Sequence, residues 1–202
     1  MADIVPITDT AGNRFAQAFA IFEASFPASE RRTRAGLTGM MRRGDYKMVG
    51  LVEDGAVTGF ATVHRLAGAG AAHLDYIATR ADLRGGGRGS RLFKAAVDIA
   101  DGQPLLVEVD SDREPSDDHD LRVRRKAFYA RERCQVVAGL DYVLALPSEG
   151  VMPMMDLMVH PGRAGTEFSK TDVERWLRAL FSQAYGQRPD DPRIGVMLAG
   201  MA

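Results

Sequence analysis

Seven consecutive residues, Arg84-Gly85-Gly86-Gly87-Arg88-Gly89-Ser90, hold the most legible chemistry in this chain. They follow a strand-like run and open a segment in which Leu92, Phe93, Ala96, Val97 and Ala100 share one helical face. Glycines at such a junction let backbone N–H groups approach an anion closely, and a helix N-terminus adds about half a positive charge. Arg84 and Arg88 place formal charge beside those donors. The combination predicts a pyrophosphate cradle; a plain glycine turn with solvated arginines is the other reading. A Walker loop would need a lysine that Arg88-Gly89-Ser90 lacks. A dinucleotide fingerprint starting at Gly85 and Gly87 fails because Ser90 stands where its third glycine would be.

Proton transfer needs a different set of side chains. Glu108 lies in Leu105-Leu106-Val107-Glu108-Val109, a run so apolar that its carboxylate is either a general base or one half of an ion pair. Asp75 is a second candidate; strand alternation puts it on the face of His73, Ile77 and Thr79. His73 is a third.

These residues need elements to hold them. An edge-type strand at 3–7, with Pro6, precedes a helix from Asn13 to about Ser25 that carries Phe15, Phe19 and Phe22 on one face. A second helix is expected from Ser29 to about Arg43. Strands at 48–52 and 56–63 flank Asp54-Gly55, a hairpin signal, and a third strand covers 71–79. The glycine loop and its helix come next, then a strand at 105–110 and an acidic insert at 110–120. A helix at 121–133 should turn Val123, Ala127 and Ala130 inward. Strand-like pieces at 135–138, 142–146 and 152–159 follow. Thr171-Asp172-Val173-Glu174 fits a capping box opening a last helix to about Ala184. The order predicts a mixed α/β sheet, without regular strand–helix alternation.

Bulk properties exclude several classes. The chain has 202 residues, a formal net charge of -1 and one cysteine, Cys134, so no intramolecular disulfide and no global pull toward nucleic acid or anionic membrane. No apolar run approaches the ~20 residues of a membrane span. Four histidines and one cysteine, scattered along the chain, give no metal-ligand spacing. The expectation is a cytoplasmic protein that takes neither nucleic acid nor membrane as partner and has no metal.

The spacing Arg84-x-x-Gly87-x-Gly89 resembles the coenzyme A loop of the GCN5-related N-acetyltransferase (GNAT) family. The segment 74–79 is similar to the family's fourth strand, and Phe128-Tyr129-Ala130-Arg131-Glu132-Arg133-Cys134 to its later Phe/Leu-Tyr-Glu-Lys-x-Gly-Phe segment. Arg133 and Cys134 replace the usual Gly-Phe, and Arg122 stands where many members carry Asn. The resemblance covers residues 3 to about 160. It implies a GNAT-like domain at 1–160, a mostly antiparallel mixed sheet flanked by helices. Residues 161–202 become a helical extension, packed on the domain or used in a homodimer.

What the resemblance implies for function is acetyl transfer from acetyl-CoA to a primary amine of a small molecule or peptide. The pyrophosphate would lie on Arg84, Gly85, Gly86, Gly87, Arg88, Gly89 and Ser90, and the pantetheine arm along Ile77, Ala78 and Thr79. Tyr129 would stand beside the thioester sulfur. An amine of ordinary lysine basicity is neutral in only about one molecule in 2,500 at pH 7, so a base helps; Glu108, Asp75 and His73 remain open for it. A non-catalytic acyl-CoA-binding module on the same fold, and an unrelated nucleotide-binding domain, are the competing readings.

Overall fold

The computed structural model describes residues 2–83, 85–145, 154–163, 165 and 167–201. Its strands are β1 (Ala2–Pro6), β2 (Tyr46–Glu53), β3 (Ala56–Leu66), β4 (Ala71–Thr79), β5 (Leu105–Asp110), β6 (Gln135–Val136) and β7 (Met155–His160). They form a mixed, mostly antiparallel sheet, as expected, in hydrogen-bonded order β1-β2-β3-β4-β5-β7-β6. The chain divides into two compact units, Met1–Arg65 with Leu74–Asp101, and Leu66–His73 with Gly102–Ala202; β4 contributes to both.

In the first unit β1, β2 and β3 pair antiparallel. The β2–β3 turn is built from Asp54 and Gly55, both at positive φ (49° and 82°), as an Asp-Gly hairpin requires. Helix α1 (Asn13–Ser25) buries Phe15, Phe19 and Phe22 in a cluster with Leu37, Tyr46, Met48 and Phe60. Each such ring contributes about 1.5–3 kcal/mol on leaving water. The residue before α1 is Gly12, so Asn13 lies inside the helix and does not cap it. The second helix begins later than Ser29: a single 3-10 turn occupies Ala28–Glu30, and α2 (Arg34–Met41) starts where the Thr33 hydroxyl accepts the Gly36 N–H at 3.0 Å. Helix α3 (Arg88–Ile99) turns Leu92, Phe93 and Ala96 inward.

In the second unit β4 meets β5 in parallel through Ala72 opposite Leu105 and His73 opposite Leu106. Strand β5 then pairs antiparallel with β7 over its whole length. Its core joins Leu106, Leu157 and Val159 to Val173, Trp176, Leu177, Leu180 and Phe181 of the C-terminal segment. That segment is α5 (Lys170–Ala179), a π-helical turn at Leu180–Ala184 and α6 (Pro192–Met197), the last of which the sequence did not suggest. The capping box of α5 is Ser169 with Asp172, two residues ahead of the Thr171 expected, because these two side chains satisfy each other's backbone N–H. Residues 142–145 are not strand, and Leu146 and Met152 lie outside the described residues.

Helix α4 (His119–Arg131) reverses another expectation. Val123 is 40% exposed and Ala127 and Ala130 are exposed, while Arg122, Lys126 and Tyr129 occupy the inner face at spacings of four and three. Charge pairing decides this: Lys126 reaches the buried Asp156 at 2.8 Å as well as Asp112, and Arg122 holds Asp118 at 2.8 Å. A buried carboxylate costs more to leave unpaired than two small apolar side chains gain by turning inward.

Candidate active site

Gly85, Gly86 and Gly87 take φ values of 92°, 61° and 75°, the left-handed region where a side chain is strained. A Cβ at Gly85 or Gly87 would meet nothing within 4 Å, so conformation and not space calls for glycine there. Gly87 is the N-cap of α3 and no side chain caps the helix, which directs the first-turn donors of Arg88, Gly89 and Ser90 out of the helix end. Arg88 is engaged: its Nε donates to Glu53 at 2.7 Å and its guanidinium to the Leu83 carbonyl at 3.1 Å, and the Glu53 contact holds that carboxyl below its ordinary range. Arg84 lies outside the described residues.

Ile77, Ala78 and Thr79 are half-buried at the C-terminal end of β4. Gly59 of β3 permits this: a Cβ there would stand 2.8 Å from the Ala78 carbonyl oxygen and 3.1 Å from the Thr79 methyl. The neighbouring Tyr76 N–H is satisfied by the Thr62 hydroxyl at 3.0 Å. Asp75 is committed to two partners. Its Oδ2 accepts from Arg32 Nε at 3.1 Å and from the Tyr46 hydroxyl at 2.7 Å, with the carboxylate side chain 6% exposed. Burial and then the Asp75 charge push the Tyr46 phenol well above its ordinary value, so it remains a donor. Burial alone would lower Arg32, but Asp75 outweighs it and the guanidinium is raised.

Glu108 sits in the second unit among groups the sequence did not associate with it. Tyr142 donates to Oε1, Tyr185 donates to Oε2, and His73 Nε2 lies 2.9 Å from Oε2. The carboxylate side chain is 9% exposed and that of His73 1%. Glu108 and His73, separate candidates in the sequence, are thus one cluster. Tyr142 is buried, and burial followed by the adjacent carboxylate raises its phenol well above the ordinary range. Nothing in local spacing reveals these tyrosines, which lie 34 and 77 positions from Glu108.

Tyr129 is buried on α4, and burial pushes its hydroxyl up, keeping it protonated. The helix ends there in a Schellman motif: Cys134 N–H donates to the Tyr129 carbonyl at 2.9 Å and Arg133 N–H to that of Ala130 at 3.0 Å. Arg133 is left-handed, φ 69°, at the position where the resemblance expects glycine. Helix α4 pairs half of the six carboxylates of the acidic insert: Arg125 holds Asp110 at 2.6 Å, beside the Arg122–Asp118 and Lys126–Asp112 pairs.

Comparison with known proteins bears on the family and the fold. The model of the acetyltransferase (GNAT) family matches residues 15–133. A GNAT-family protein from Bacteroides thetaiotaomicron superposes with a TM-score of 0.75 at 24% identity, covering 92% of this chain and 99% of that one. An aminoglycoside 6'-N-acetyltransferase complexed with coenzyme A gives 0.62 at 14% identity, over 82% and 99% of the two chains. NAA60 of Arabidopsis thaliana, in complex with acetyl-CoA, gives 0.59 at 16% identity, over 79% and 97%. No curated protein matches the chain.

Proposed function

We propose a function on the premise that the chain belongs to the acetyltransferase (GNAT) family, whose model covers more than half of it. It transfers an acetyl group from acetyl-CoA directly to a primary amine of a small molecule or peptide. The observation that carries this reading is the N-terminus of α3, where three left-handed glycines lead into a first turn without a side-chain cap. Backbone donors of residues 85–90 suit a pyrophosphate, and the open space beside Gly85 and Gly87 leaves room for one. The backbone of Ile77, Ala78 and Thr79 takes the pantetheine arm. The lone cysteine, Cys134, favours the cytoplasm as the compartment.

Acetyl-CoA supplies an activated thioester; the amine must arrive neutral and the thiolate must leave. We assign Glu108 to accept the amine proton, because its carboxylate is held by its neighbours and keeps slight exposure. Asp75, bound by Arg32 and Tyr46, is the second choice. Tyr129, kept protonated by burial, is the donor to the departing sulfur. The test is Glu108→Gln assayed with acetyl-CoA against spermidine, an aminoglycoside and lysine peptides. Loss of a general base should lower kcat by about 10²–10⁴-fold with coenzyme affinity unchanged. Wild-type turnover in that variant would move the role to Asp75.

A further inference from the structure

Glu108 receives donors at both carboxylate oxygens, and the segments that supply them are remote. Tyr142 follows β6, and Tyr185 follows the π-helical turn of the C-terminal segment. Both lie beyond residues 15–133, the part matched by the family model. The register shows why they meet. Glu108 lies opposite Leu157, and Leu106 opposite Val159, so Glu108 shares its sheet face with core residues that pack on α5 and the π-helical turn. The turn is itself a departure from α geometry, a local widening of the helix that commonly marks functional positions. Tyr185 is its C-cap, and the Gln187 N–H returns to the Phe181 carbonyl at 2.9 Å, which sets where the phenol projects. The His73 ring lies obliquely to that of Tyr185, 6.3 Å between centroids.

We propose that Tyr142 and Tyr185 are positioning residues for Glu108, so that the stretch after β6 and the C-terminal segment together complete the base. This rests on the reading of Glu108 as proton acceptor. Two phenols aimed at separate oxygens fix the carboxylate in one rotamer. The groups facing Glu108 are His73 from β4 and the two tyrosines, with Arg193 of α6 acting on Tyr142; Leu157 of β7 is apolar. A C-terminal segment serving only to cover apolar surface would have no need of hydroxyls there.

The experiment uses full-length protein carrying carboxyl-¹³C glutamate, with the Glu108 signal assigned by its absence in Glu108→Gln. In Tyr185→Phe the signal should change position at neutral pH, because one of the donors to the carboxylate is lost. Tyr142→Phe should do the same. Should the more buried Tyr142 variant not fold, Tyr185, which is only half-buried, carries the test. A Tyr185→Phe signal that superimposes on wild type overturns the proposal. Full turnover in Glu108→Gln, with the signal still moving in Tyr185→Phe, overturns the base assignment instead and leaves the tyrosine contacts standing.

Discussion

Gly59→Ala is the perturbation that most directly probes how β3 supports the coenzyme strand. An added Cβ would lie 2.8 Å from the Ala78 carbonyl oxygen, 2.8 Å from Leu92 Cδ1 and 3.1 Å from Thr79 Cγ2, where ordinary contact begins at 3.4 Å. The Leu92 methyl can rotate away. The carbonyl is backbone, so β4 at Ala78 must shift by about 0.6 Å, the difference between 3.4 and 2.8 Å. Overpacking of this kind costs about 1–3 kcal/mol. In a chain of this length each kcal/mol lowers Tm by roughly 2–4 °C. The displaced residues are the ones assigned to the pantetheine arm, so acetyl-CoA affinity should also fall, by about tenfold for every 1.4 kcal/mol by which binding weakens. Gly55→Ala is the control. Its φ of 82° imposes about 1–2 kcal/mol of strain on the hairpin, but a Cβ there meets nothing within 4 Å, so coenzyme affinity should hold. Calorimetric titration with acetyl-CoA alongside thermal melts separates the two effects. A Gly59→Ala protein that binds acetyl-CoA like wild type, at the stability of Gly55→Ala, would refute the assignment of β4 as the coenzyme strand.

Arg133→Gly should stabilise the protein by up to about 1 kcal/mol in urea denaturation, since Arg133 stands at φ 69° at the end of α4 where glycine carries no Cβ penalty. An unchanged or lower midpoint would mean that the arginine side chain contributes more than its backbone strain costs. His160 is held below its ordinary value by burial and then by the nearby Arg133 charge, and its Nδ1 accepts the Gly162 N–H at 3.1 Å, which only the unprotonated nitrogen can do. With the folded value depressed, its contribution is present above about pH 6.5 and lost as pH falls through the folded value beneath it. His160→Asn should therefore lose less stability than wild type between pH 7 and pH 5; equal slopes in urea melts would contradict this.

The sequence was most informative where one local constraint decides the outcome. The Asp54-Gly55 hairpin, the Phe15-Phe19-Phe22 face and the left-handed glycines before α3 each follow from backbone or periodicity over a few residues. The inner face of α4 did not, because the partner that draws Lys126 inward, Asp156, lies 30 residues away on β7. The surroundings of Glu108 were hidden for the same reason: an apolar strand marks a carboxylate as unusual, but only the fold brings Tyr142, Tyr185 and His73 to it. Helix starts fell in between. Thr33 and Ser169 are ordinary cap residues, and neighbouring candidates of similar chemistry, Ser29 and Thr171, were equally acceptable until tertiary packing chose among them.

Binding of the coenzyme A pyrophosphate by the α3 loop can be measured in a thermal-shift series with acetyl-CoA, coenzyme A, ATP and NAD. At a hundredfold excess over Kd a ligand adds about 2.7 kcal/mol, or roughly 5–10 °C for a chain of this size. That rise is expected with acetyl-CoA and coenzyme A, and none with ATP or NAD. No rise with the two coenzyme A species, or a larger one with ATP or NAD, would contradict it.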